Sequence, residues 1–546
     1  MEEFAFEDNV NKKIEEFGKD NEKIIEKRKR NLKKWLFGWV EDNYDKAFIG
    51  VLILAFALRI WVFTLTKDQA AWFDAAEYLS TAKKWAGIGN MTDIWYYRRG
   101  FFWPLFASFF FRFGLGETAI NLVTILFSTG IITVSYFLIK DMFNKKYALF
   151  SCIGLTFSWV FLFFTGRPSN EIPATFFLLL SLLFFWKGYE LKQGNKYIYF
   201  FAFSFAISVL TRMQNLMFIL ILFIFIFVKE KFAFLKNKSL WISLLIFILV
   251  MLPHFIIYNQ HFGNPVKDIM SWYFGVQVGN EPTQRTYDFT TLSMYFFDLP
   301  YNLTKPIFIL FIIGAFYFFM DFLFGFDKIF KNNDIQKKLF ILLWIVIPFL
   351  ILGYFGGYPE QRYTMMQHPF FFMIVAIPLF EVGKLIEKNS KINKKVIAFL
   401  ILIIFIAVLM PNLLWANSLI ENKKMSYYEV KLAGEWIKQN SNSGEMVITN
   451  SFPQISYYSE RKVATFGDCY NGPESHLPGC SKEEFYEFVE DVKPRFLILS
   501  IFQNHEDWVL NYPQEHNDTW TPVQVYRQGE QPVLIIYESN YNNVSD

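Results

Sequence analysis

Apolar runs long enough to cross a bilayer recur along the chain between short polar segments: Ala47 to Thr66, Thr118 to Ile139, Tyr147 to Thr165, Ile172 to Trp186, Tyr197 to Leu210, Leu216 to Val228, Leu240 to Tyr258, Pro306 to Phe324, Leu339 to Tyr354, Pro369 to Val382 and Val396 to Leu414. A transmembrane helix needs roughly 20 apolar residues, and with the shorter runs extended by their flanks the pattern predicts about eleven spans. Past residue 415 the pattern changes. Tyr428 to Lys438 has helical periodicity, and short β-rich runs follow at Met446 to Thr449, Arg495 to Ser500 and Pro532 to Tyr537, with a helix at Lys482 to Val492 before the second. Such alternation suggests a compact α/β unit of about 120 residues. The predicted fold is mainly α: a polar segment 1–45, a polytopic transmembrane helical bundle 46–415 with a long first outer loop 67–117, and a C-terminal extracytoplasmic α/β domain 416–546.

Charge decides which side each loop faces. Segments 140–146, 187–196, 229–238, 325–338 and 383–395 are lysine-rich, whereas the alternate loops carry few basic residues, mostly arginine. The positive-inside rule makes the lysine-rich loops cytoplasmic. The N-terminus is then inside, and the first loop, the turns at Arg167, Arg212 and Arg362, the segment 259–303 and everything after Ala416 are outside. The cluster Lys27-Arg28-Lys29-Arg30 with Lys33 and Lys34 reads as a cytoplasmic helix settling on anionic lipid, each basic residue contributing about 1 kcal/mol. No cleavable signal peptide is evident, and the first apolar run is expected to act as a signal-anchor. Composition agrees with a membrane protein: 53% hydrophobic residues, 21% aromatic and a mean hydropathy of +0.23. A net charge of +3 is nearly neutral and gives no basis for a nucleic-acid partner. The 68 Phe residues suit a lipid-facing surface or a groove for a prenyl chain, and composition does not choose between them.

Candidate chemistry centres on Ala71-Trp-Phe-Asp-Ala-Ala-Glu-Tyr78, which as a helix puts Asp74, Glu77 and Tyr78 on one side. Trp72, Phe73, Leu79 and Trp85 give it an apolar body, so it is expected to lie in the headgroup region with its acids at the lipid–water boundary. Ionisable groups near membrane depth are costly and mark functional sites. The outer face gathers several besides Asp74 and Glu77. A guanidinium binds two phosphate oxygens at once and stays charged, which makes Arg98, Arg99, Arg167, Arg212 and Arg362 candidate phosphate ligands. Asn170, Glu171, His254, Tyr363 and His368 complete the candidate pocket, and Asp93 and Glu360 lie nearby in the same loops. These residue types permit displacement at an anomeric carbon by a hydroxyl. Asp74 would remove the proton, an effect of typically 10²- to 10⁴-fold, while arginines stabilise a departing prenyl phosphate in place of a general acid. One direct displacement inverts the anomeric centre.

Plainer roles compete for the same residues. Asp74 could cap its helix, Glu77 could pair with Lys83 or Lys84, Asn170 could cap the following helix, and Arg362 and Tyr363 could anchor at the interface. His254 and His368 read as buried structural groups or, with a carboxylate, as metal ligands. No metal site is expected and no cofactor is required by this chemistry, though the part of a divalent metal stays open. Cys469 and Cys480, outside the membrane, are predicted to form a disulfide, the plainer alternative being that both are free. Asn302, Asn517 and Asn543 begin outward-facing glycosylation triplets.

The series Trp72-Phe-Asp-Ala-Ala-Glu-Tyr78, Tyr97-Arg-Arg-Gly-Phe-Phe-Trp-Pro104, Gly166-Arg-Pro-Ser-Asn-Glu-Ile-Pro173, Pro253-His-Phe-Ile-Ile-Tyr-Asn-Gln-His-Phe-Gly-Asn-Pro265 and Gln361-Arg-Tyr-Thr-Met-Met-Gln-His-Pro369 resembles the GT-C superfamily of polytopic glycosyltransferases. The resemblance runs over roughly residues 47–415 and is nearest to the branch with protein O-mannosyltransferases and the lipid A aminoarabinose transferase. It implies a polyprenyl-phosphate (dolichyl-phosphate) sugar donor, Asp74 as base, an arginine among 98, 99 and 362 on the donor phosphate, and a prenyl groove between spans. Glu171 stands where relatives often have Asp, and the Trp-Trp-Asp signature of oligosaccharyltransferases is missing. The partners expected are the lipid-linked donor, a glycan, lipid or protein acceptor, and membrane lipid. The competing classes are a transporter or flippase of a lipid-linked sugar, and a sensor whose spans only anchor an outer domain.

Overall fold

A computed structural model describes residues 43–91, 99–265, 289–325, 329–354, 359–467, 481–503 and 506–543. The basic N-terminal segment, Asp93, Arg98, Cys469 and Cys480 lie outside the described residues.

Each of the eleven apolar runs is helical. Among the described residues, seven helices are long and apolar enough to cross a membrane, or nine if each of two bent pairs forms one span. The other two runs fold as Asn195–Thr211 and Phe218–Glu230, only 17 and 13 residues long. Their flanks do not extend them as the run lengths suggested. Arg212 leaves the helix in an extended conformation, and a 3-10 turn, Met213–Met217, follows. Phe200, Phe203, Phe223 and Phe316 are exposed on the outside of the bundle. A surface this apolar suits lipid and not water, so much of the Phe content covers the lipid-facing side.

The bent pairs are Lys145–Phe157 with Trp159–Thr165, at 54°, and Ser293–Leu303 with Lys305–Met320, at 118°. A break frees backbone groups that a continuous helix would pair, and inside a bundle they need other partners.

The C-terminal unit follows the last long helix, which runs on through Lys423. It is a five-stranded mixed sheet in the order β2-β1-β3-β5-β4, with β1 Met446–Thr449, β2 Lys462–Ala464, β3 Phe496–Ser500, β4 Trp520–Gln528 and β5 Gln531–Ser539. β1 pairs in parallel with β2 and β3, and β5 runs antiparallel to β3 and β4. Helices Tyr428–Asn440 and Phe452–Ser459 contribute Val430, Ala433, Ile437 and Ile455 to the core on one face. On the other, Lys482–Val492 and Asp507–Glu515 contribute Phe485, Val489, Val509 and Tyr512. All five residues of β3 are buried, as its unbroken apolar run predicts for a central strand. The two edge strands were not anticipated: β2 has only three residues, and β4 is largely polar with Pro522 inside it.

This domain grips the membrane bundle through the helix Phe73–Trp85. Ala75, Ala76, Leu79 and Ala82 pack with Trp103, Ala107, Phe111, Tyr457 and Tyr458. The Ala71 N–H donates to the Tyr458 hydroxyl at 2.7 Å, the Ser80 and Ser456 hydroxyls lie 2.9 Å apart, and Lys83 Nζ donates to Glu460 Oε1 at 2.9 Å. The expectation of a helix resting in the headgroups is therefore corrected: residues 75–82 are buried throughout. Its alanines permit close approach by the Phe452–Ser459 helix, which covers the face that lipid would otherwise meet.

Candidate active site

Five chain segments bring their charged residues to one point. Asp74 occupies the first turn of Phe73–Trp85, and Glu171 the first turn of Glu171–Phe185. Helix N-termini favour negative charge at both positions. Neither Asp74 nor Asn170 makes a side-chain cap. Arg362 instead joins the two acids, its Nη1 donating to Asp74 Oδ2 at 2.8 Å and to Glu171 Oε1 at 2.9 Å. Its Nε pairs with Glu360. Arg99 donates from both terminal nitrogens to Asp74 Oδ1 at 3.2 Å, and its Nη2 lies 3.2 Å from Glu77 Oε2. Arg212 reaches Glu171 Oε1 at 3.4 Å and lies over the Tyr363 ring. Glu77 thus pairs with an arginine, while Lys83 goes to Glu460.

Exposure separates the two acids that share Arg362 Nη1. The Asp74 side chain keeps 32% of its surface accessible, and Glu171 only 3%. Asp74 is the one an incoming hydroxyl can reach. Burial pushes the Asp74 carboxyl up, but the adjacent Arg99 and Arg362 outweigh it and hold the group below its ordinary value. For Glu77, burial wins over the attraction of Arg99, and with the repulsion of Asp74 added the carboxyl is raised to about 7. Burial likewise raises the Tyr78 hydroxyl to about 12, so it stays protonated and accepts from Asn170 Nδ2 at 2.8 Å.

Arg167 is held differently. Its guanidinium lies 3.5 Å from the Trp72 ring centre and 3.7 Å from that of Phe163, and it is buried. Its Nε and Nη1, and the Trp72 Nε1 beside it, have no hydrogen-bond partner among the described residues. Burial pushes the Arg167 guanidinium well below its ordinary value, against the pull of Glu171.

Two glycines seat these arginines. A Cβ at Gly100 would fall 1.8 Å from the Leu210 carbonyl oxygen, so only glycine lets the Arg99 loop press against the end of Asn195–Thr211. A Cβ at Gly166 would fall 2.3 Å from Thr66 Oγ1, just before Arg167. Trp103 Nε1 then ties the Arg167 turn by donating to the Pro168 carbonyl at 3.1 Å. The Arg-Gly and Gly-Arg pairs were visible in the motifs, but their steric meaning depends on neighbours distant in sequence.

Of the predicted residues, Asp74, Glu77, Arg99, Asn170, Glu171, Arg212, Arg362 and Tyr363 converge, with Arg167 beside them. His254 stacks on Phe101, next to Gly100, with ring centres 5.9 Å apart. His368 does not join the pocket: it is fully buried among the rings of Phe161, Phe371 and Phe372. No group of three metal-ligating side chains occurs among the described residues. Trp72 and Tyr78 belong to the site without having been singled out as pocket residues.

Residues 99–257 match a family described as dolichyl-phosphate-mannose-protein mannosyltransferase, a stretch that carries Arg99, Arg167, Glu171 and Arg212. Among solved structures, the apo oligosaccharyltransferase of Archaeoglobus fulgidus superposes with a TM-score of 0.58 at 15% identity, covering 85% of this chain and 70% of that one. ArnT of Cupriavidus metallidurans in the apo state gives 0.58 at 13% identity, covering 89% and 98%. The chain has the GT-C fold. The same ArnT bound to undecaprenyl phosphate gives 0.57 at 12% identity, covering 91% and 98%. No curated protein matches the sequence. Absence of Trp-Trp-Asp does not separate this chain from the oligosaccharyltransferase in fold. The helical bundle followed by a C-terminal domain is common to both.

Proposed function

We propose that the protein is an inverting glycosyltransferase of the membrane, moving a sugar from a polyprenyl-phosphate donor to a hydroxyl acceptor on the extracytoplasmic face, with its N-terminus in the cytoplasm. The observation that carries this reading is the accessible Asp74 carboxylate held between Arg99 and Arg362, with a buried Arg167 alongside whose Nε and Nη1 have no partner among the described residues. Support also comes from the donor types in the descriptions of the matched family and of the ArnT complex.

The donor phosphate would first meet Arg167, whose partnerless N–H groups it satisfies, and would then draw on Arg99 and Arg362. As those guanidiniums turn to phosphate, Asp74 loses counter-charge and its basicity rises. The acceptor O–H then gives its proton to Asp74, the acceptor oxygen bonds to the anomeric carbon, and the bond from that carbon to the phosphate oxygen breaks with its electron pair on the prenyl phosphate. In this reading Arg362 Nη1, which donates to both Asp74 and Glu171, supplies the positive charge between the two acids.

Reconstituted protein offered a panel of prenyl-phosphate sugars, with chelator present, should release prenyl phosphate as it forms a glycoside. The transporter reading draws on a specific observation, the two broken spans, a feature of transporter binding sites. The acids and arginines grouped around Asp74 and Glu171 lie on segments other than the two breaks, which favours transfer. Movement of intact donor across vesicles without prenyl phosphate release would establish the transporter instead.

Glu77 gives this account a pH signature. Below about pH 7 it is protonated, and above that its charge pulls on Arg99 and repels the donor phosphate. Donor kcat/KM should therefore fall as pH rises through that value, and Glu77→Gln should flatten the fall. The linkage to folding has the same sign: stability from burying the neutral acid is full below the ordinary carboxyl range and is lost as pH rises through about 7.

A further inference from the structure

The Asn412 side chain bonds to both helix breaks at once. At the first, the Trp159 N–H donates to Asn412 Oδ1 at 3.2 Å in place of the carbonyl one turn back, Leu155. That carbonyl accepts from Arg59 Nη2 at 3.4 Å. At the second break, Thr304 takes a φ of 66°, and the preceding Leu303 carbonyl accepts from Asn412 Nδ2 at 2.9 Å. The same Nδ2 reaches Thr304 Oγ1 at 3.0 Å. Asn412, on the last span, is wholly buried.

Both breaks lead to the arginines. The short helix Trp159–Thr165 begins at the first and ends two residues before Arg167. Trp159 Nε1 donates to the Asn302 carbonyl at 2.8 Å, and Asn302 Nδ2 donates to Thr364 Oγ1 at 3.1 Å. Thr364 lies in the 3-10 turn Gln361–Gln367 that carries Arg362. Asn302 is thus an internal connector, buried and closed to glycosylation in the folded protein.

We propose that Asn412 is a positioning residue that sets Arg167 and Arg362 at their working separation by clamping the two helix breaks together. Its importance for donor binding rests on the reading of those arginines as phosphate ligands. An amide serves because one group must supply an acceptor to a freed N–H and a donor to a freed carbonyl.

Hydrogen exchange tests the clamp without any donor. In Asn412→Leu, exchange in 158–167, 302–304 and 361–367 should rise about tenfold or more while the C-terminal sheet is unchanged. Leu409→Ala, a cavity at a buried neighbour on the same span, should not reproduce that pattern. If Asn412→Leu fails to fold, Asn412→Asp keeps the acceptor, loses the amide donor, and should loosen 302–304 most. In nanodiscs, Asn412→Leu should weaken binding of polyprenyl phosphate about tenfold, with little further loss when added to Arg167→Ala. Unchanged exchange in those segments, the same pattern from Leu409→Ala, or full additivity with Arg167→Ala would overturn the proposal. If wild type binds no polyprenyl phosphate, the donor reading fails, and the exchange result still decides the clamp.

Discussion

Asp74→Asn is expected to lower turnover by roughly 10²- to 10⁴-fold while leaving donor affinity within about threefold of wild type. The change removes the base and almost no volume, and an amide oxygen can still accept from Arg99 and Arg362. Removing the negative charge leaves both guanidiniums freer for phosphate, so any change in donor affinity should be toward tighter binding. The pH profile should agree. kcat/KM reports groups of the free protein, and Arg99 and Arg362 hold Asp74 below its ordinary value against the push of burial. Its acid limb should therefore lie below the ordinary carboxyl range, well separated from the change near pH 7 assigned to Glu77. Turnover by Asp74→Asn within tenfold of wild type would require a different base.

Arg362→Ala should act mainly on donor binding. The side chain makes charge-assisted hydrogen bonds to Asp74 and Glu171. Bonds of that kind contribute about 1.5–3 kcal/mol each, so losing one to phosphate corresponds to roughly 10- to 150-fold in affinity. The Asp74 carboxyl should also rise once this neighbour is gone, since Arg362 is one of the two cations that lower it. Arg362→Lys should recover only part of the loss, because an ammonium has no second nitrogen to hold Glu360 as Nε does and cannot bind two phosphate oxygens as the planar fork does. Titration with polyprenyl phosphate, beside kcat for the folded fraction of each variant, separates these effects. A rise in KM smaller than threefold would assign the phosphate to Arg167 and Arg99 alone.

The membrane bundle was legible because its signal is one-dimensional: long apolar runs and alternating lysine loops need no tertiary information. The acids and arginines were legible as types at one level, because ionisable residues at membrane depth are rare. Their pairing was not. Arg362 lies 288 positions from Asp74, and no local rule links them. His368 looked like a site residue from its place after Arg362, yet its ring faces the core, because the 3-10 turn before it redirects the chain. The helix with Asp74 looked interfacial because its partner is a helix of the distant C-terminal domain, joined through Tyr458, Ser456 and Glu460. Asn412 sat inside an apolar run and Asn302 stood out only as the start of a glycosylation triplet; neither pointed to the breaks they serve.

The most direct test of a single displacement at this cluster is the stereochemistry of the bond it makes. Purified protein would be given a prenyl-phosphate sugar of known anomeric configuration, and the anomeric proton of the product read by NMR. The account predicts an inverted centre with one prenyl phosphate released per glycoside formed. A retained configuration, or intact donor moved with no glycoside made, would contradict it.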